Sequence, residues 1–231
     1  MQIGLKQNDI QLVVSEVHNN LNAFSRDMSF DYCYNYFKDK QYLQEHDMEK
    51  SCLALGFYLG NWGMFRKSFL QTVSLRHYEN IINYISDAPL TSWNIDLDNY
   101  LDNIDALCEI YEQVKAAIKG NQPRNPSQTL VTKIMLGVFG CVPALDNNFV
   151  SGFNEIFKGN GGFRTDNFKY NIQQLNKFYS ANKDDIDKLS STSKTLDVYT
   201  GTLTPTNYPK SKIVDLYGYC KGEFYLNNQE L

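Results

Sequence analysis

Few of the residues that carry most catalytic chemistry occur in this sequence. There are three histidines, His18, His46 and His77, and five cysteines with no CxxC pair. Zinc needs clustered Cys and His ligands, so no metal site is expected. H-E-x-x-H, the G-x-S-x-G elbow and G-x-x-x-x-G-K-S/T are all missing. That removes the common metalloprotease, serine-hydrolase and phosphate-loop readings, and no cofactor is expected. The odd cysteine count argues against a disulfide framework. Cys52, Cys108 and Cys141 lie among apolar residues, where a free thiol acts as a small hydrophobe. A reducing, cytoplasmic compartment fits this usage. No run of 18 apolar residues is present, so no membrane span is expected. The opening MQIGLKQNDIQ lacks the basic and apolar regions of a secretion signal. With only 6 prolines and 14 glycines in 231 residues, a disordered or fibrous chain is excluded.

What is abundant is aromatic: 16 tyrosines and 14 phenylalanines. The length suffices for a substantial core. Net charge is −4, unevenly spread. Residues 1–110 carry 8 Lys and Arg against 15 Asp and Glu, or −7; residues 111–231 carry 14 against 11, or +3. The overall balance favours a protein partner, while the positive half leaves nucleic acid open, since phosphate contacts need a basic excess.

Apolar spacing of three and four residues predicts helices throughout. Ile10, Val13, Val14, Val17, Leu21 and Phe24 mark one over about 8–25. Ser29 can cap a second, bearing Phe30, Cys33, Tyr34 and Phe37. MEKSCLALGFYLGN (48–61) is apolar on most faces and is expected to be central. After a break at Gly60–Gly63 a further helix is predicted through about 86, then a long one over 97–119. GNQPRNPSQ reads as a linker, with two prolines. Beyond it, helices are predicted over 128–138, 147–157, 166–181, 184–190 and 210–219, with Ser127, Asp146 and Thr165 as caps. SSTSKTLDVYTGTLTPTNYP is Ser/Thr-rich and reads as irregular, with TLDVYTGTL a candidate hairpin arm. The fold class is all-α, about nine helices in one globular domain or in two lobes, 1–120 and 128–231, joined by 121–127.

One stretch carries more than a fold requires: TKIMLGVFGCVPALDNNF, 132–149. Val131, Ile134, Met135 and Val138 form an apolar face, with Lys133 out of register and expected at its edge. Gly137 and Gly140 favour a helix end and a tight bend. Pro143 cannot continue a helix, and Asp146 can cap the next one. Two antiparallel helices joined by a short turn can bring Lys133 and Asp146 to one cleft. A lysine in a partly apolar site can lose its proton and act as a nucleophile. An aspartate at a helix N-terminus stays ionised and can stabilise a developing cation.

The pattern "TK-I-M … VPALD" resembles helix-hairpin-helix DNA glycosylases of the 8-oxoguanine type, which are all-α proteins of two helical lobes. Theirs is a Ser/Thr-Lys on a helix, an apolar run, and a Pro-x-x-Asp that opens another helix. The resemblance spans about 20 of the 231 residues. It implies that Lys133 is the amine attacking the sugar carbon and Asp146 the assisting carboxylate. The hairpin signature L-x-G-V-G-x-K-T/A is absent; LGVFGC has an extra residue between its glycines and no following lysine. CLALGFYLGNWGM taken with TKIMLGVFGCVPALD also resembles a bacterial protein group without an assigned activity.

Two further stretches are candidate contacts. In GNWGMFRKSF (60–69), Trp62, Phe65, Arg66 and Lys67 interleave rings and cations that can stack bases and meet phosphate. In KGNGGFR (158–164), Lys158 and Arg164 flank small residues whose backbone N–H groups can hold an anion. DLDNYLDNID (96–105) lacks calcium-loop spacing and reads as the polar face of the helix over 97–119. His77 and Glu79, two residues apart, are expected to form no acid–base pair. Two functions lead, ahead of a nuclease or toxin-like RNA enzyme, for which the three histidines offer no motif. One is a base-excision-like DNA-processing enzyme with Lys133 and Asp146 catalytic and Trp62, Arg66, Lys67 and Arg164 as substrate contacts. The other is a non-catalytic helical interaction module of bacterial or mobile-element type.

Overall fold

The computed structural model describes residues 10, 11, 14, 22–40, 47–157, 162–164 and 166–227. The helix predicted over 8–25, Lys158 and the Thr165 cap therefore fall wholly or mostly outside the described residues. Within them are nine α-helices and one two-stranded sheet, so the fold is all-α. In chain order they are α1 Met28–Lys40, α2 Met48–Asn61, α3 Glu79–Asp87, α4 Ile104–Lys119 and α5 Gln128–Phe139. After these come α6 Asn147–Ile156, α7 Phe168–Ala181 and α8 Lys183–Thr192, then the strands β1 Lys194–Leu196 and β2 Leu203–Asn207, and α9 Lys210–Asn227. No described helix is long and apolar enough to cross a membrane.

α5 is the hub. Every residue from Leu130 to Phe139 is buried, because α1, α2 and α4 all pack around it. Ser127 caps its start by accepting from the Leu130 N–H, 3.2 Å. Gly140 ends it at φ +67, in the left-handed region that a side chain disfavours, and donates to the Met135 and Leu136 carbonyls. Gly137 serves a different purpose: an added Cβ would stand 2.4 Å from a ring carbon of buried Tyr58, so its absence lets α2 approach. Buried apolar residues on both sides of 121–127, from Phe30 to Tyr217, form one cluster.

Other local expectations are revised. The segment after α2 is a chain of turns and two short 3-10 helices, Phe69–Thr72 and Leu75–Tyr78, and only 79–87 continues as α-helix. The long helix begins at Ile104 rather than 97. Ser29 lies inside α1, not at its cap. Asn167 caps α7, accepting from the Tyr170 N–H. The Asp-rich run is no plain polar face. Asp96 accepts from the backbone N–H groups of Leu97, Lys210 and Ser211 at 2.7 to 2.9 Å, tying the start of α9 to the 3-10 turn at Leu97–Asn99.

The Ser/Thr-rich stretch forms the hairpin β1–β2, antiparallel with Leu196 opposite Leu203. Buried Asp31 of α1 anchors it, accepting from the Leu196 N–H at 2.6 Å and the Tyr208 hydroxyl at 2.8 Å. Burial pushes the Asp31 carboxyl up to about 6, against the pull of those bonds and of Lys212. α6 and α9 meet backbone to backbone: a Cβ on Gly152 would come within 2.4 Å of the Gly218 carbonyl oxygen, and one on Gly222 within 1.7 Å of the Asn148 oxygen.

Candidate functional site: a charged centre on Trp62

Residues 140–145, between α5 and α6, are buried yet belong to no helix. Buried backbone groups need partners, and side chains supply them. Tyr100 Oη donates to the Cys141 carbonyl, 2.8 Å, and Ser211 Oγ to the Gly140 carbonyl. The Leu145 N–H donates to Thr132 Oγ1, 2.9 Å, and the Ala144 N–H to Asp215 Oδ1, 3.0 Å. So fixed, this connection delivers Asp146 to the end of α6 nearest Lys133.

Asp146 then has two tasks. Oδ1 accepts from the Phe149 N–H at 3.0 Å, capping α6, and Oδ2 pairs with Lys133 Nζ at 2.9 Å. The Lys133 side chain is 4% exposed and that of Asp146 18%. The expected solvent edge for Lys133 is therefore corrected: α5 has no solvent edge at this turn, so the amine reaches a carboxylate instead of water. Lys133 Nζ also stands 4.8 Å from the centre of the Trp62 ring.

A second pair, absent from the sequence reading, completes the centre. Lys212 Nζ and Asp215 Oδ2 of α9 are 2.8 Å apart, with side chains 5% and 12% exposed. Lys212 Nζ lies 5.5 Å from the Trp62 ring centre and 4.7 Å from that of Phe30. Arg26 approaches the same indole at 5.3 Å, and Tyr219 meets it edge-on at 6.1 Å. Three cations thus surround one half-buried ring, an arrangement the negative face of an aromatic system favours. Two carboxylates balance them, which is what allows two lysines this far inside. Trp62 Nε1 and Ser29 Oγ are buried and have no hydrogen-bond partner among the described residues. The one signal for Lys212 was its place in the otherwise apolar IVDLY neighbourhood with an aspartate three residues on, a spacing that faces the two side chains together on a helix.

The other selected residues do not join this centre. Arg66 and Lys67 are exposed on the turn after α2, with Lys67 in the left-handed region at φ 55. Arg164 lies over the Tyr170 ring, 4.3 Å from its centre, and its backbone is clasped by Asn171. His77 hydrogen-bonds to the Ile118 carbonyl at 2.8 Å, while Glu79 pairs with Arg76 at 2.9 Å. All five cysteines are free, and no group of metal-binding side chains occurs among the described residues.

Beside the centre runs an open groove of about 1030 Å³ between the segment Ala23–Tyr32, α2 and the hairpin turn at Val198–Gly201. Arg26 belongs to both, so the groove abuts the Trp62 centre. No family model, curated protein or solved structure matches this chain.

Proposed function

We propose that this protein is a DNA-processing enzyme resembling a base-excision glycosylase, with Lys133 as nucleophile. The observation that carries the reading is the Lys133–Asp146 pair, 2.9 Å long and nearly closed to water, standing on the Trp62 ring. Lysine and aspartate are almost never buried unless paired, and this pair sets an amine beside a carboxylate in one closed site. In the proposed step Asp146 takes the lysine proton, and the freed lone pair forms the bond from Nζ to the sugar C1′. The bond from C1′ to the base breaks, its electron pair leaving on the base. The proton on Asp146 passes to the departing base, and the carboxylate so restored steadies the positive character on the sugar. Loss of a further proton from Nζ with opening of the C1′–O4′ bond, whose oxygen takes up a proton, leaves the imine. Lys133 is covered in the structure, so substrate entry requires the packing over it to open.

Borohydride reduction tests this directly, because it fixes an amine–sugar imine as a stable adduct. With a panel of lesion-bearing duplexes, the expected result is an adduct that disappears in Lys133→Gln. No Lys133-dependent adduct on any lesion overturns the reading.

The second reading, a non-catalytic helical interaction module, draws on the exposed apolar side chains Phe24, Leu53, Phe57 and Tyr199, which cluster on the groove. It expects Lys133→Gln to leave function intact and groove substitutions to abolish binding of a protein partner.

A further inference from the structure

The groove has three kinds of wall. The first is aromatic. Tyr32 meets Phe57 edge-on at 6.3 Å and Tyr199 at 6.4 Å, so three rings form one connected wall. Phe57 is 57% and Tyr199 89% exposed, a large apolar area to leave in water. Their free faces are of the size and kind on which bases stack. The second is cationic. Arg26 and Lys50 line the groove, and no carboxylate does among the described residues. This holds in a chain of net charge −4 whose acidic excess lies in the half supplying most of the wall. The carboxylate that Arg26 meets among the described residues is Asp27, loosely, at 3.9 Å. The third is polar and unsatisfied. Ser29 is 3% exposed, and its hydroxyl has no partner among the described residues although it lines the groove. A hydroxyl left so inside the wall forgoes hydrogen-bond energy, which a ligand seated deep enough to reach it restores. Asn61 adds an amide nearby. An apolar peptide would use the rings and leave the two cations and the hydroxyl idle. Planar rings, phosphate charge and base-edge hydrogen bonds use all three.

We propose that the groove bounded by Tyr32, Phe57 and Tyr199, with Arg26, Lys50 and Ser29, binds unpaired nucleobases together with their phosphates. This deepens the DNA-processing reading, on which it rests for its biological sense, by naming where an unpaired strand lies beside the Trp62 centre. It is tested separately from the chemistry.

The experiment is fluorescence anisotropy with a labelled mixed-sequence single-stranded oligonucleotide, a duplex of the same sequence, and dAMP as competitor. Phe57→Ser and Tyr199→Ser should each weaken strand binding about 5-fold to 100-fold, the loss for one stacked base. Lys50→Gln should lower the slope of log affinity against log salt by about 0.7, one phosphate contact on a single strand. Ser29→Ala should weaken binding without lowering stability, because the removed hydroxyl has no partner among the described residues. Lys188→Gln, at an exposed position of α8, should change nothing. Competition by dAMP at concentrations similar to the strand assigns the site to single nucleotides; competition by strands alone assigns it to polymers. Either supports the shared chemistry. Strand binding unchanged in both aromatic variants, or absent at low salt, overturns the proposal, as does an effect of these variants on self-association only. If the groove variants lose strand binding while no Lys133 adduct forms, the groove stands and the glycosylase reading falls. If the adduct forms normally in Tyr199→Ser with strand binding unaltered, the groove alone falls.

Discussion

Asp146→Ser separates the two tasks of that carboxylate. The serine hydroxyl can still accept from the Phe149 N–H, so the cap on α6 is kept to within about 0.5 kcal/mol. The partner of Lys133 is lost, and the amine is left in a side chain only 4% exposed. Breaking a buried pair from one side costs about 3–5 kcal/mol. The upper end is expected here, because Lys133 and Lys212 both face Trp62 and only Asp215 would remain to balance them. Lys133→Met should cost less, about 1–2 kcal/mol, since Asp146 keeps its cap bond and some access to water. The double variant removes both charges and keeps the volume of the lysine stem, so it should lie within about 1 kcal/mol of the native protein. The cycle then yields a coupling of about 4–6 kcal/mol. Urea unfolding followed by tryptophan fluorescence reads this. With a slope of about 2–3 kcal/mol/M for a chain of this size, Asp146→Ser should lower the midpoint by about 1–2 M and the double variant should recover most of it. A midpoint for Asp146→Ser within about 0.3 M of native would refute the reasoning. So would a double variant as weak as the sum of the singles. The double variant is also the control for activity, being folded but without the proposed nucleophile.

Gly152→Ala should destabilise strongly, by about 3 kcal/mol or more, because its Cβ would meet the Gly218 carbonyl oxygen, which is backbone and cannot turn away; a native-like melting temperature would show that α6 and α9 can separate cheaply. Asp31 is held at about 6 in the folded chain against about 3.9 unfolded. Its contribution to stability is therefore full below about pH 4 and is lost as pH rises through about 6, a change of up to about 3 kcal/mol. Asp31→Asn should remove that slope, so parallel urea profiles for the two proteins between pH 4 and 7 would contradict the assignment. Cys33, Cys52 and Cys141 are buried, and burial pushes the Cys52 and Cys220 thiols up to about 11. A thiol reagent should modify only Cys108 and Cys220 slowly in the native state and all five after denaturation; rapid reaction at Cys141 would mean that the α5–α6 connection opens.

Much of the local architecture was legible in the residues. Ser127, the apolar run to Phe139, Gly140 and the Asp146 cap act within a few residues of one another, so their pattern specifies where α5 stops and α6 starts. Polar runs were harder. Asp96 resembles any helix-face aspartate until Lys210, more than a hundred residues on, brings its N–H to it. The region 64–78 has helical spacing, yet tertiary packing folds it as turns and 3-10 segments. The hairpin depends on Asp31, far away on α1, more than on alternation in its own short strands.

The same division runs through the site. The sequence alone determined the helical periodicity, the caps, and the presence of a lysine and an aspartate thirteen residues apart at either side of a bend. Those are short-range matters, decided by backbone geometry and by hydrogen bonds within one or two turns. Only the tertiary structure decided that Lys133 is buried, that Asp146 is its partner, and that α9 adds Lys212 and Asp215 beside Trp62. It also placed Arg26 between that centre and an aromatic groove. Burial and ion pairing depend on which helices enclose α5, and that follows from the packing of surfaces far apart in the chain, which no local window contains.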